Sequence, residues 1–166
     1  TVAKAMRVSV LPALALLPVP MPALVGRVQD ALMALPYSVR YQLYTWWRGA
    51  LSSPQFPELM LQRGRVLSQA RRLMSRFTKD TVEESGRRIA RMTINLPMVA
   101  LEVIIRQLQT YDNVHPHVLA MMKLMTPLAH DVCEFLLVEI MTDPSRQRLH
   151  EDGFNTAQWL DSVSNF

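Results

Sequence analysis

The chain is 166 residues long, 49% apolar and 19% charged, which fits one domain able to bury its own core and excludes wholesale disorder. A single cysteine excludes an internal disulfide and a cysteine cluster for zinc. The formal net charge of +4 rests on 15 Arg and only 3 Lys, and arginine is the planar, bidentate partner for carboxylates, phosphates and aromatic faces.

Eleven methionines, five glycines and the lack of alternating β-branched or aromatic runs point to an all-α fold with an adaptable core. The spacing predicts about eight helices with short connections. Residues 3–17 form a first apolar helix, kinked or split at Pro12. Residues 8–21 are apolar behind Lys4 and Arg7 and imitate a signal peptide. Pro12, Pro18 and Pro20 interrupt them, and no apolar run reaches membrane-spanning length. The segment from Pro18 to Pro22 is a rigid linker. Residues 23–35 are helical, and Pro36 opens a helix that runs to Arg48 and stops at Gly49.

Residues 57–77 make a long amphipathic helix. Leu59, Val66, Ala70, Leu73 and Phe77 form its core face, and Arg65, Arg72 and Arg76 form a ridge on the other side. Thr81 and Glu84 have capping-box spacing and open a helix through Met92. Gly86 inside it costs about 1 kcal/mol and calls for a close helix contact. Pro97 opens the next helix, with Leu101, Ile104, Ile105, Leu108 and Tyr111 as its buried stripe. After a turn at Asp112 and Asn113, residues 114–125 are helical, and Thr126-Pro127 breaks them. Residues 128–141 are apolar on nearly all sides and read as the central buried helix. Asp143-Pro144 has the form of a short helix start, Asp152-Gly153 is a turn, and residues 156–166 are a last amphipathic helix.

Successive antiparallel helices with short loops suggest a helical-repeat or α-solenoid layer. We read 1–56 as N-terminal helices leading into the repeat and 57–166 as the helical-repeat domain. A start at Thr1 and an end at Phe166 inside a helical pattern make the sequence read as part of a longer chain.

The charge is polarised. Between Arg63 and Arg91 there are nine basic and three acidic residues, whereas from Glu102 to Phe166 there are four basic and nine acidic. Such a band meets an acidic partner or nucleic acid, or is an ordinary solvated helix face. Catalytic chemistry finds no comparable concentration. Phosphate-binding, dinucleotide, zinc-protease and nucleophile-elbow motifs are all lacking. His115 and His117 have no third ligand near them in sequence and read as a surface pair rather than a metal site. Asp112 with His115 reads as a turn, Glu83-Glu84 as favourable charge in a first helical turn, and Cys133 as inert core. No catalytic residue, metal or cofactor is assigned. Tyr37, Tyr41 and Tyr44 share a helix face near Arg40 and Arg48. That pattern could stack RNA bases, but at helical spacing a helix–helix contact with polar tips is the better reading.

Three segments carry a family resemblance. Leu35-Pro-Tyr-Ser-Val-Arg-Tyr-Gln-Leu-Tyr-Thr-Trp-Trp-Arg48 resembles a "PY..RY.LY..W" signature. Thr78-Lys-Asp-Thr-Val-Glu-Glu-Ser-Gly-Arg-Arg-Ile-Ala-Arg91 resembles a stretch that ends in G-R-x-I-A-K. Gln107-Leu-Gln-Thr-Tyr-Asp-Asn113 resembles a "Q-I-x-x-Y-D-N" element. Order and approximate spacing match those of THO complex subunit 2, the large scaffold subunit at the core of the TREX assembly. One departure is clear: the family's Ser-His-x-Asn-Pro segment reads Thr93-Ile-Asn-Leu-Pro97 here, without the histidine.

The resemblance implies a non-catalytic nuclear scaffold that couples transcription to mRNA packaging and export. It implies a helical region similar to the middle domain of translation initiation factor 4G, and as partners other THO subunits and a DEAD-box RNA helicase. On that reading Lys79, Asp80, Arg87, Arg88 and Arg91 are the candidate partner-binding residues. Direct RNA binding through the arginine-rich face is the alternative.

Overall fold

The computed structural model describes residues 1–77, 81–146 and 157–164, and every regular element among them is helical. The helices are α1 (Val2–Ala5), α2 (Leu11–Leu16), α3 (Pro22–Met33), α4 (Tyr37–Ala50), α5 (Pro57–Met74), α6 (Val82–Asn95), α7 (Pro97–Leu108), α8 (His115–Met122), α9 (Pro127–Thr142) and α10 (Gln158–Ser164). A π-helical turn, Met6–Val10, joins α1 to α2, and a 3₁₀ turn, Asp112–Val114, precedes α8.

Proline placement explains much of this segmentation. Pro22, Pro57, Pro97 and Pro127 each occupy the first position of a helix, where a missing N–H costs nothing and the fixed φ is already helical. Thr126 caps α9, its hydroxyl accepting the Ala129 N–H at 3.3 Å. The first apolar helix is divided beside Pro12, which is accommodated by the π turn just upstream, where the Leu11 N–H reaches the Met6 carbonyl.

Other boundaries also shift. Gly49 lies within α4, which runs on to Ala50, and α6 runs to Asn95, one turn past Met92. The expected capping box does not form. The Thr81 hydroxyl donates to the Arg76 carbonyl at 2.6 Å, and Glu84 reaches forward to Arg88.

The centre of the molecule is α7, not α9. Met98, Val99, Ala100, Leu101, Ile104 and Ile105 are all essentially inaccessible, and α7 packs against α5, α6 and α9. Tyr111, expected on its buried stripe, is 52% exposed because the helix ends at Leu108 and the chain turns outward. Helix α9 is buried along Leu128, Val132, Phe135 and Leu136, but Val138 and Met141 near its end are exposed. Gly86 does meet α8: a Cβ there would lie 3.5 Å from the Met121 side chain, an ordinary contact that leaves room for a methyl group.

Helix α4 is tied to α9 by polar groups. The Tyr44 hydroxyl donates to Asp131 at 2.5 Å, and Arg40 pairs with the same carboxylate at 3.5 Å. Farther along, Arg48 pairs with Glu139 at 2.7 Å, and the Tyr41 hydroxyl donates to that carboxylate too. The rings of Tyr41 and Tyr44 pack against Phe135. The aromatic–basic run of α4 therefore serves a helix–helix contact, with the Tyr41 and Tyr44 hydroxyls and the Arg48 guanidinium paired across it. The Trp47 indole N–H and the Arg40 Nε are buried without an acceptor among the described residues.

Candidate partner-binding surface

Helix α6 carries the arginines singled out by sequence. Arg87 pairs with Glu83 and Arg88 with Glu84, both at i,i+4 spacing with the glutamate N-terminal, and all four side chains are at least 62% exposed. Exposed pairs of this kind contribute a few tenths of a kcal/mol each, so they tune charge rather than hold the fold. Among the described residues Arg91 has no carboxylate partner and stands exposed one turn on. Lys79 and Asp80 lie outside the described residues.

The α-helical period places Arg88, Arg91, Met92 and Asn95 on one stripe, at i, i+3, i+4 and i+7. That stripe forms one wall of a groove of about 420 Å³. Gln62, Val66 and Gln69 of α5, again at i, i+4 and i+7, form the opposite wall, and Leu17, Pro18 and Pro20 of the linker close one end. Arg87 points off this stripe and does not line the groove.

Asn95 fixes the linker in place. Its amide donates to the carbonyls of Val19 at 3.0 Å and Leu17 at 3.4 Å, and its oxygen accepts the Met21 N–H at 3.4 Å. The linker prolines hold this stretch extended with few donors of their own, so one buried asparagine satisfies three of its backbone groups. The groove thus has rigid walls, a mixed apolar and amide lining, and two arginines at its rim. Such a surface suits a protein segment, and it offers no cluster of titratable groups for acid–base chemistry.

Sequence reasoning found Arg88 and Arg91 but missed Asn95, Gln62, Gln69 and the linker. The period-3.6 stripe on α6 was available as a signal. The return of residues 17–20 onto α6, more than seventy positions away, was not.

The remaining candidates are structural. Burial, and then the neighbouring Glu134, push the Cys133 thiol up to about 11, which keeps it protonated and unreactive at neutral pH. His117 packs edge-on against Phe77, and the His115 ring reaches the Leu108 carbonyl at 3.3 Å. Among the described residues no group of three or more His, Cys, Asp or Glu converges to hold a metal, and no helix is long and apolar enough to cross a membrane.

Residues 89–164 match the family model described as "Thoc2: Transcription- and export-related complex subunit". THO complex subunit 2 of Arabidopsis thaliana is 30% identical over 165 residues, 99% of this chain. The chain belongs to the THO complex subunit 2 family. The human THO complex subunit 2 is 30% identical over 131 residues, and that of Saccharomyces cerevisiae 27% identical over 145. The chain spans 8–9% of the length of these relatives. Similarity to THO complex subunit 2 thus reaches plants, mammals and yeast, and the relatives are named as subunits of a complex. Within the groove, the matched family region takes in Arg91, Met92 and Asn95.

Proposed function

We propose that this chain is a non-catalytic scaffold segment of a THO/TREX-type complex, acting in the nucleus in mRNA processing and export. Its groove between α5, α6 and the linker receives a protein partner, either a neighbouring THO subunit or a DEAD-box RNA helicase. Arg88 and Arg91 form its rim, and Lys79, Asp80 and Arg87 are the further candidate partner-binding residues. The observation that carries this reading is the groove itself: arginines of the family-like segment facing two glutamines and a valine across a rigid cleft. Residues 57–166 are then the helical-repeat part, similar in layout to the middle domain of initiation factor 4G, with 1–56 leading into it.

The test is charge reversal at the rim. Arg88→Glu with Arg91→Glu should weaken association with a THO subunit or the helicase by at least about tenfold in a pulldown or titration. Arg87→Glu alone should have a smaller effect. Unchanged affinity of the double variant for both partners would sink the assignment.

A second reading has its own support. Arg65 and Arg72 are exposed on the outer face of α5 and Arg76 is exposed in the turn just past its end, and among the described residues none is paired with a carboxylate. Direct RNA binding along this ridge would fall steeply with added salt, whereas no binding at low salt would eliminate it.

A further inference from the structure

The other flank of α5 holds a second, separate surface. Arg63, Leu67 and Arg71 repeat at i, i+4 and i+8 and face Glu102, Val103 and Arg106 of α7 across a hollow of about 100 Å³. The hollow continues toward α9, where Glu102 and Arg106 also border a second depression of about 140 Å³ floored by Ile105, Leu136 and Ile140. Arg48 and Arg146 at that end are already engaged by Glu139 and Asp143. Arg63, Arg71 and Arg106 are not: among the described residues none has a carboxylate within 4 Å, although Glu102 sits between them.

We propose that this α5–α7 trough binds an acidic segment of a partner protein, in which carboxylates flank an apolar side chain. Three observations favour that chemistry. First, the rim carries three uncompensated guanidinium groups against one carboxylate, and two of them stand roughly 12 Å apart along α5 at 1.5 Å per residue. Second, the floor between them is aliphatic, so an apolar side chain can lie on Leu67 and Val103 while carboxylates reach the flanking arginines. Third, a phosphate chain fits poorly. No aromatic ring lines either hollow to stack a base. This surface is independent of the α5–α6 groove, since the two lie on opposite sides of the buried stripe of α5.

Fluorescence anisotropy with the purified chain tests it, using a synthetic peptide of Glu-Glu-Leu-Ala repeats and a single-stranded oligouridylate as probes at low salt. The peptide should bind. Arg63→Ala, Arg71→Ala and Arg106→Ala together should weaken it about tenfold. The triple change Arg65→Ala, Arg72→Ala and Arg76→Ala, which removes the same charge elsewhere, should have little effect. Far-UV circular dichroism checks that each variant is folded. Should the first triple variant unfold, the lysine triple at the same positions keeps the charge but loses the bidentate fork, and should bind several-fold more weakly than the parent. No peptide binding, equal losses from both alanine triples, undiminished binding by the folded lysine triple that stands in, or tighter oligouridylate binding through Arg63, Arg71 and Arg106 would each overturn the proposal.

Discussion

Removing Asp131 should be among the most damaging single changes to the fold. Its carboxylate is 8% exposed and holds two partners from α4, Tyr44 at 2.5 Å and Arg40 at 3.5 Å. Arg40 is itself only 10% exposed, and its Nε is buried without an acceptor. In Asp131→Ala a buried guanidinium loses its counter-charge and a buried phenol loses its acceptor. Breaking one side of a buried pair costs about 3–5 kcal/mol, out of a total stability of roughly 5–15 kcal/mol. For a chain of this size that is a fall in Tm of about 6–20 °C.

Arg40→Met alone should cost somewhat less, about 2–4 kcal/mol, because Asp131 keeps the Tyr44 hydroxyl. The double variant removes both charges, so it should lose about 2–4 kcal/mol less than the sum of the two singles. Urea unfolding followed by circular dichroism measures all three. A loss under about 1 kcal/mol for Asp131→Ala, or strict additivity in the double variant, would refute the claim that a buried ion pair fastens α4 to α9.

Other predictions rest on single environments. Gly64 lies in the middle of α5, and a methyl group added there would meet nothing within 4 Å, so Gly64→Ala should raise stability by about 0.5–1 kcal/mol in the same unfolding assay. Cys133, its thiol held near 11 by burial, should resist Ellman's reagent at pH 8 in the folded chain and react fully after denaturation. The hydrogen bond to Glu139, and then burial, push Tyr41 up to about 12, while burial and Asp131 push Tyr44 higher still. Both shifts favour the protonated phenol in the folded state. The Tyr41 contribution is therefore full below pH 10 and is lost as pH rises through about 12, the Tyr44 contribution persists to higher pH, and absorbance at 295 nm should show the Tyr44 phenolate appearing only on alkaline unfolding.

How much of this was legible in the sequence depends on the range of the contact. Local signals carried well. Prolines 57 and 97 were read as helix starts and are, and Pro36 stands one residue before its helix. Pro22 and Pro127 were read as linker and break but open helices, and the α5 core face was read correctly at Leu59, Val66 and Ala70. Rank within the core was not legible. The sequences of α7 and α9 are both strongly apolar, and only tertiary packing decides which one is surrounded on all sides. Capping failed at Thr81 because two competing partners, the Arg76 carbonyl and Arg88, were equally compatible with the same residues. The groove was half visible. Its arginines lie in a recognisable segment, but its far wall and its closing linker come from positions that only the fold brings near.

The central claim is that the α5–α6 groove holds a protein. Site-specific photocrosslinking tests it most directly, with benzoylphenylalanine replacing Gln69 in the groove wall and, separately, Ser68 on the outer face of α5, each within the assembled complex. The account predicts a discrete protein adduct from position 69 and none, or far less, from position 68. Adducts from position 68 alone, or RNA rather than protein captured at position 69, would contradict it.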